Sequence, residues 1–276
     1  ETAIQATKKG AYDFLPKPFT PEELRNTVSK AAQHAVLAEQ AQNLERERRQ
    51  VRFQFLSVLA HELKSPLNAV QGFIDIMLDQ GDSLSEEDRE TVLNRSSVRL
   101  HYMRKMIDDL LDLTRIESGQ KKRELETINV YQSAKTAIDT AGPDANDKSV
   151  DIELECDENT EFRADPSEIE IILNNLISNA VKYNKEGGTV DVSITRDEDR
   201  LTIRVSDTGI GMSKEDTERL FQDFVRIKNE KTRGIPGSGL GLSIVKKIAT
   251  LYGGDVDVDS APNEGSTFTV TLHQQD

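Results

Sequence analysis

A histidine followed directly by a glutamate stands in the amphipathic run FLSVLAHELKSPL at residues 55–67. Neutral imidazole is a good nucleophile near neutral pH, and an adjacent carboxylate can hold and deprotonate its second ring nitrogen. His61 and Glu62 could therefore act as nucleophile and base. Pro66 removes one helical N–H and clashes with the carbonyl of Glu62, so we expect the helix to bend just after the histidine. The alternative is a surface histidine on a proline-kinked helix.

A second set of polar residues follows one stripe of a predicted helix at residues 165–184. Asn175, Asn179 and Lys182 fall at i, i+4 and i+7, on the side opposite the apolar residues. Mg²⁺ prefers oxygen ligands and keeps several waters, so one or two amide oxygens and nucleotide phosphates could hold it beside a phosphate-binding lysine. The alternative is an exposed polar face without a ligand.

Glycines in the last third of the chain predict two close approaches of backbone to a ligand. In DTGIGM, residues 207–212, Asp207 can accept a hydrogen bond from an exocyclic amine. GSGLGL, residues 237–242, opens a predicted helix whose free N–H groups and dipole favour phosphate. The preceding loop adds cations that suit a polyanionic nucleotide: Arg226, Lys228, Lys231 and Arg233. FQDF, residues 221–224, is predicted to place two aromatic rings on a short helix, with core packing as the alternative.

Two long helices must position the histidine. The first begins at a capping box of Thr20 and Glu23, with Pro21 at the first helical position. Its seam residues recur at spacings of four and three, which predicts a coiled coil rather than a single solvated helix: Leu37, Ala41, Leu44, Arg48, Val51, Phe55 and Val58. The second helix, with a predicted capping box of Ser83 and Glu86, presents one apolar face and ends near Gly119. Because two helices cannot bury both faces alone, we expect a homodimer with a four-helix bundle.

Residues 121–276 alternate strand patterns with helices near 130–140, 165–184 and 240–252. This pattern predicts an α/β two-layer sandwich with helices on one face of a mostly antiparallel sheet. The net charge of −14 and the absence of Trp argue against nucleic-acid binding. One cysteine excludes an internal disulfide, and no apolar run is long enough to span a membrane. The chain begins at Glu1 in mid-pattern, so we expect a fragment of a longer protein.

Along residues 50–276 the order and spacing of these motifs resemble a bacterial two-component sensor histidine kinase. HELKSPL is similar to the H box, LNNLISNAVKY to the N box, DTGIGM and GSGLGL to the two glycine boxes, and FQDF to the F box. Residues 1–19 resemble the end of a receiver domain, with Lys17 as its phosphate-pairing lysine and Lys17–Pro18 as a candidate cis bond. The receiver's phosphoacceptor aspartate is absent, so we expect this remnant to be inactive.

The resemblance implies four regions: a receiver remnant (1–20), a coiled-coil linker (21–52), a dimerisation and phosphotransfer domain (53–120) and a Bergerat-type ATP-binding domain (121–276). It implies that His61 is the phosphoacceptor, Glu62 its base, and Asn179 with Asn175 the Mg²⁺ ligands. Lys182 and Arg226 would contact phosphate, Tyr183 would lie near the nucleoside and Asp207 would read the adenine amino group. The pocket and lid would be shaped by Gly209, Gly211, Gly237, Gly239 and Gly241.

The implied function is cytoplasmic, ATP-dependent autophosphorylation of His61, followed by transfer to an aspartate of a response-regulator receiver domain. Ser65 stands where Thr or Asn often orients the water that dephosphorylates the regulator, so phosphatase activity stays open. The alternatives are a nucleotide-binding dimeric scaffold, or degenerate kinase, and an ATPase without a phosphohistidine.

Overall fold

A computed structural model describes residues 12–80, 83–118, 123–227, 229, 232, 235 and 237–274. Within the two helices below, the side chains of 47–49, 51, 52, 54, 55, 80 and 118 are not described. Predictions for residues 1–11, Gly119, Lys228, Lys231 and Arg233 therefore lie outside the described residues. The chain divides into two compact units, Glu1–Lys64 and Ser65–Asp276, each of which is considered by itself.

The N-terminal part is built on two long helices, α1 (Pro21–Gln80) and α2 (Glu86–Ser118). The predicted capping box at the start of α1 is confirmed, because the Glu23 carboxylate accepts from the Thr20 backbone N–H at 2.7 Å and Thr20 Oγ1 accepts from the Glu23 N–H at 3.2 Å. Helix α1 continues through Pro66. The Lys17–Pro18 peptide bond is cis, as predicted.

Two local predictions in this part were wrong. Helix α2 is capped by Ser85, whose hydroxyl accepts from the Asp88 N–H at 3.1 Å, and not by Ser83. The sequence offers both Ser-x-x-acid pairs, and because the helix begins at Glu86, Ser85 occupies the N-cap position. Residues 12–15, predicted to complete a strand that starts at residue 11, form no regular structure. A strand needs a hydrogen-bonded neighbour, and the described residues supply none here.

The C-terminal part alternates strands and helices, as predicted. Its elements are β1 (Glu126–Asn129), α3 (Val130–Asp147), β2 (Asp151–Glu155), β3 (Glu161–Ala164), α4 (Pro166–Lys182), β4 (Thr189–Asp197), β5 (Arg200–Asp207), α5 (Lys214–Thr217), α6 (Gly241–Leu251), β6 (Asp255–Ala261) and β7 (Gly265–His273). Helix α4 begins as predicted, with Asp165 Oδ1 accepting from the Ser167 N–H at 3.1 Å and Pro166 in the first turn. FQDF is not helical: it forms turns, and Phe224 has a left-handed φ of 61° that no helix accommodates.

The main sheet has the strand order β2-β4-β5-β7-β6. Only the β2–β4 pair is parallel, and β4–β5, β5–β7 and β6–β7 are antiparallel. Strands β1 and β3 form a separate two-stranded sheet that the sequence analysis did not predict. The predicted class, long helices followed by an α/β two-layer sandwich with a mostly antiparallel sheet, is confirmed.

The core of the sandwich lies between α4 and the inward face of the central strands. Strand β5 alternates buried and more exposed residues, the pattern of a sheet with one covered face. The residues of this layer are almost fully buried: Ile169, Ile172, Leu173, Leu176 and Ile177 on the helix, and Val190, Val192, Leu201, Ile203, Val205, Val270 and Leu272 on the sheet. This packing holds the polar stripe of α4 on the side of the helix turned away from the sheet. Among the described residues no helix is long and apolar enough to cross a membrane.

Candidate functional site

A cavity of about 830 Å³ lies within the Ser65–Asp276 unit, a volume suited to a nucleotide-sized ligand. Its wall comes from α2, α3, α4, the turn after β5, described residues between 220 and 242, and strand β7. Most residues that the sequence analysis assigned to nucleotide binding line this one cavity: Asn175, Asn179, Lys182, Tyr183, Asp207, Gly211, Arg226, Gly237, Gly239 and Gly241. Among the residues of that group that the structure describes, Gly209 alone does not lie in the wall.

The two asparagines on α4 differ in their surroundings. Asn175 is 7% exposed, and its amide donates to the Ile171 carbonyl at 2.8 Å within the same helix. This bond turns its side-chain oxygen toward Gly241, where a Cβ would collide with Asn175 Oδ1. Asn179, one turn on, is half-buried in the cavity wall. The Asn175 oxygen can occupy this position only because residue 241 is a glycine and has no side chain.

Lys182 and two further cations concentrate positive charge in the wall. Burial, together with the nearby charges of Arg226 and Lys105, lowers the pKa of Lys182 to about 8, and the negative charge of Asp109 acts in the opposite direction. We call Lys105, Lys182 and Arg226 the cationic cluster. The Lys182 ammonium also lies 5.0 Å from the ring centre of Tyr183, a cation–π distance. An anion entering the cavity would relieve the mutual repulsion of the cluster.

Asp207, the last residue of β5, lies in the wall and is 9% exposed. Burial raises the pKa of this carboxyl, while hydrogen bonds from the backbone of Gly209 and Ser266 lower it. The Gly209 N–H donates to Asp207 Oδ1 at 2.8 Å, which fixes the carboxylate plane. Gly209 thus orients Asp207 and does not form part of the pocket surface. A buried carboxylate held in this way can accept a hydrogen bond from a ligand amine.

The glycine-rich segment enters α6 beside the cationic cluster. A Cβ at Gly237 would come within 2.7 Å of Lys182 Nζ, so this backbone passes directly over the lysine. Gly239 has a φ of +73°, a conformation that glycine adopts without strain. Arg226 donates to the Ile235 carbonyl at 2.6 Å. The first N–H groups of α6 are available for anionic ligands.

Helix α2 contributes wall residues that the sequence analysis missed. Tyr102 donates its hydroxyl to the Gly237 carbonyl at 3.1 Å, and Ser238 donates to Asp109 Oδ2 at 2.6 Å. Further along α2, Glu117 pairs with Lys247 of α6 at 2.7 Å. No local pattern predicts these contacts, because Tyr102, Asp109 and Glu117 are ordinary polar residues of an amphipathic helix in the sequence.

The predicted phosphotransfer residues lie on α1. His61 and Ser65 are exposed, and Glu62 is half-buried. None of the three lines the cavity. His61 and Glu62 belong to the Glu1–Lys64 unit and Ser65 begins the next one.

The donor set of the cavity fits Mg²⁺ only together with a ligand that brings its own anionic oxygens. Among the described residues no group of three or more His, Cys, Asp or Glu side chains could hold a metal ion alone. Asn175 and Asn179 offer neutral amide oxygens, the hard but uncharged ligands that Mg²⁺ accepts beside phosphates. The Asn175 amide nitrogen donates to the Ile171 carbonyl, which turns the side-chain oxygen toward Gly241.

Two family models match the chain. Residues 51–119 match the His Kinase A (phospho-acceptor) domain, and residues 164–276 match the histidine kinase-, DNA gyrase B- and HSP90-like ATPase. An uncharacterized sensor-like histidine kinase of Rhizobium meliloti is 35% identical over 79% of this chain. The chain spans 42% of that relative's length.

Solved histidine kinases share the architecture. Full-length ShkA in complex with AMPPNP is 26% identical and superposes with a TM-score of 0.56, covering 79% of this chain and 45% of that one. The histidine kinase ThkA, solved in complex with the response regulator TrrA, gives a TM-score of 0.65 at 21% identity, covering 83% of this chain and 64% of that one. The enzyme class predicted from the motifs agrees with the two family-model matches. It also agrees with the ATP-binding domain and its cavity. The chain carries the phospho-acceptor and ATPase domains of the two-component sensor histidine kinase family.

Proposed function

We propose that the cavity binds ATP and that His61 accepts the γ-phosphoryl group. The observation that carries this proposal is the convergence of Asp207, Lys182 and the glycine-rich entry to α6 on one cavity. Asp207 accepts from the adenine amino group, Tyr183 lies beside the nucleoside, and Lys182 and Arg226 neutralise the phosphates. Asn175 and Asn179 would hold Mg²⁺ against those phosphates, and the ion would add charge neutralisation at the transferring group.

In the transfer step a ring nitrogen of His61 attacks the γ-phosphorus, and the bond from that phosphorus to the β,γ-bridging oxygen breaks. ADP leaves with the bonding electron pair, and Glu62 accepts the proton from the other ring nitrogen. The exposed position of His61 leaves its ring open to an incoming phosphate donor. Phosphoryl transfer of this kind depends on positioning and electrostatic stabilisation more than on covalent chemistry by the protein.

We further propose that phosphohistidine passes its phosphoryl group to an aspartate on a response-regulator receiver domain. ThkA has been solved with the response regulator TrrA, which supports a partner of this kind. Ser65 lies four residues after His61 and is exposed, so its hydroxyl could orient a water for the reverse, phosphatase reaction. Both partners of these reactions, ATP and a receiver domain, fit a cytoplasmic location.

A homodimer is proposed for the two long helices. Each leaves large apolar side chains uncovered in the single chain, which water disfavours and a second copy would bury. On α1 these include Leu37, Leu44, Val58, Leu67, Ile74 and Leu78, and on α2 they include Leu93, Val98, Leu100, Ile107 and Leu111. Residues 21–52 would form the coiled coil, 53–120 the dimeric bundle and 121–276 the ATP-binding domain, with 1–20 as a receiver remnant that carries Lys17.

Labelling with γ-³²P-ATP and Mg²⁺ tests the kinase reaction. We expect acid-labile, alkali-stable label on the protein that is lost in His61→Gln. His34→Gln is the matched control, since His34 is another exposed histidine on α1 and should leave labelling unchanged. Bound nucleotide without label would favour the dimeric scaffold, and release of free phosphate without labelled protein would favour an ATPase.

A further inference from the structure

Helix α2 closes one side of the proposed nucleotide cavity. Tyr102, Lys105 and Asp109 all line it, although they lie far from the ATP-binding motifs in sequence. Two hydrogen bonds join α2 to the glycine-rich segment, from Tyr102 to the Gly237 carbonyl and from Ser238 to the Asp109 carboxylate. Ser238 Oγ also accepts from the Leu240 N–H at 3.2 Å, so the contact with Asp109 reaches the residue that precedes α6.

Asp109 is the unusual member of this group. It is 6% exposed, and carboxylates are almost never this deeply buried without cationic or hydrogen-bonding partners. One of its oxygens accepts from Ser238 at 2.6 Å, and the other lies 3.8 Å from Lys105 Nζ. Its charge also acts on Lys182, whose pKa it raises against the opposing effects of burial, Arg226 and Lys105. The carboxylate therefore compensates the cationic cluster from within the protein.

The same cluster is the proposed binding site for nucleotide phosphates. A phosphate next to Lys182 and Gly237 would meet the negative charge of Asp109 at the same wall and would compete with it for the cations. The hydroxyl of Ser238, a natural donor to a phosphate oxygen, is already used by Asp109. Adenosine, which has no phosphate, would encounter neither effect.

We propose that Asp109 acts as an internal substitute for nucleotide phosphate, so that it weakens the binding of nucleoside di- and triphosphates while α2 holds the glycine-rich segment. This inference rests on the proposed ATP site. It makes Asp109 a residue that sets nucleotide affinity according to phosphate charge. Phosphate binding then favours release of Ser238 from Asp109, which frees the glycine-rich segment from α2.

The test compares binding of ADP, the non-hydrolysable analogue AMPPNP and adenosine to the full chain by titration calorimetry. Asp109→Asn removes the charge and keeps an oxygen that can accept from Ser238. We expect ADP and AMPPNP to bind roughly three- to tenfold more tightly, as removal of a like charge a few ångströms away predicts at an effective dielectric constant near 20. Adenosine affinity should not change.

Two further variants isolate the charge. Asp108→Asn makes the same charge change at an exposed neighbour on α2 outside the cavity wall, and it should leave all three affinities unchanged. Tyr102→Phe removes the bond to Gly237 without a charge change, so any gain in affinity should be equal for ADP and AMPPNP. Circular dichroism and urea unfolding establish that each variant is folded.

The outcomes separate the two proposals. If wild-type protein binds ADP and AMPPNP but Asp109→Asn binds them no more tightly, Asp109 is not a phosphate substitute and the nucleotide site stands. An equal gain for adenosine would also overturn the inference, because it would show an effect that does not depend on phosphate charge. If the wild type binds none of the three ligands, the proposed function fails, and this inference fails with it.

Discussion

Raising the pH from 7 to 9 should weaken nucleotide binding, and Lys182 should be the cause. Only the protonated ammonium attracts phosphate, and the pKa of Lys182 in the free protein lies at about 8. Bound phosphate adds an opposite charge and raises that pKa again. As the pH rises through 8, the free protein loses the proton that binding requires, so affinity falls with pH.

The magnitude follows from the fraction of protonated lysine. With a pKa of about 8, roughly nine-tenths of Lys182 is protonated at pH 7 and roughly one-tenth at pH 9. If phosphate restores an ordinary lysine pKa near 10.4, affinity should fall about tenfold between these pH values. The nucleotide phosphates do not contribute, because their last pKa lies near 6.

Calorimetric titration with ADP in magnesium-free buffer measures this effect. Lys182→Arg should abolish the pH dependence, because guanidinium stays protonated throughout the range. Lys185→Arg, at an exposed lysine just beyond the same helix, should retain the wild-type fall. Equal ADP affinity at pH 7 and pH 9 in the wild type, or an undiminished fall in Lys182→Arg, would refute the assignment of Lys182 to the phosphates.

Three other substitutions test the pocket and its support. Asp207→Asn should lower ATP affinity at least tenfold and reduce the preference for ATP over GTP, since a charged acceptor contributes about 1.5–3 kcal/mol; an unchanged ATP/GTP ratio in calorimetry would contradict the role of Asp207. Gly241→Ala should displace the Asn175 side chain and abolish measurable nucleotide binding. The control is Gly142→Ala, which lies in helix α3 with open space around it and should bind nucleotide normally. Because alanine favours the helix over glycine, this control should raise the free energy of unfolding by about 0.5–1 kcal/mol. Arg123→Ala leaves the buried Glu168 carboxylate without its ion pair at 2.9 Å and should cost about 3 kcal/mol in urea unfolding at pH 7. The exposed pair of Arg200 and Asp197 is the matched control, and Arg200→Ala should cost less than about 1 kcal/mol.

The periodic features of the fold could be predicted from the sequence. Asp165 and Pro166 fix the start of α4 through a side-chain cap and a preset φ, both of which depend on neighbouring residues only. The alternation in β5 likewise follows from local pattern. The predictions of secondary structure failed where tertiary contacts determine the backbone conformation. The sequence FQDF predicts a helix, but Phe224 has a positive φ and its backbone packs against Gly239. Strands β1 and β3, with four residues each, are too short for an alternating pattern to identify.

The candidate site also contains residues that the sequence predicts and residues that it does not. Asn175, Asn179 and Lys182 share a helical face by their spacing alone, so their convergence on the cavity could be predicted. Tyr102 and Asp109 could not, because their contacts with Gly237 and Ser238 join segments more than 120 residues apart in the chain. The role of Gly209 was also hidden, since its N–H supports Asp207 from behind the pocket surface.

A structure of the chain with Mg²⁺ and AMPPNP tests the nucleotide site most directly. We expect the adenine amino group against the Asp207 carboxylate, and the phosphates between Lys182, Arg226 and the N–H groups that open α6. The Asn179 amide oxygen should face the metal. Nucleotide bound outside this cavity, or adenine lying in the cationic cluster with the phosphates toward Asp207, would contradict the proposed site.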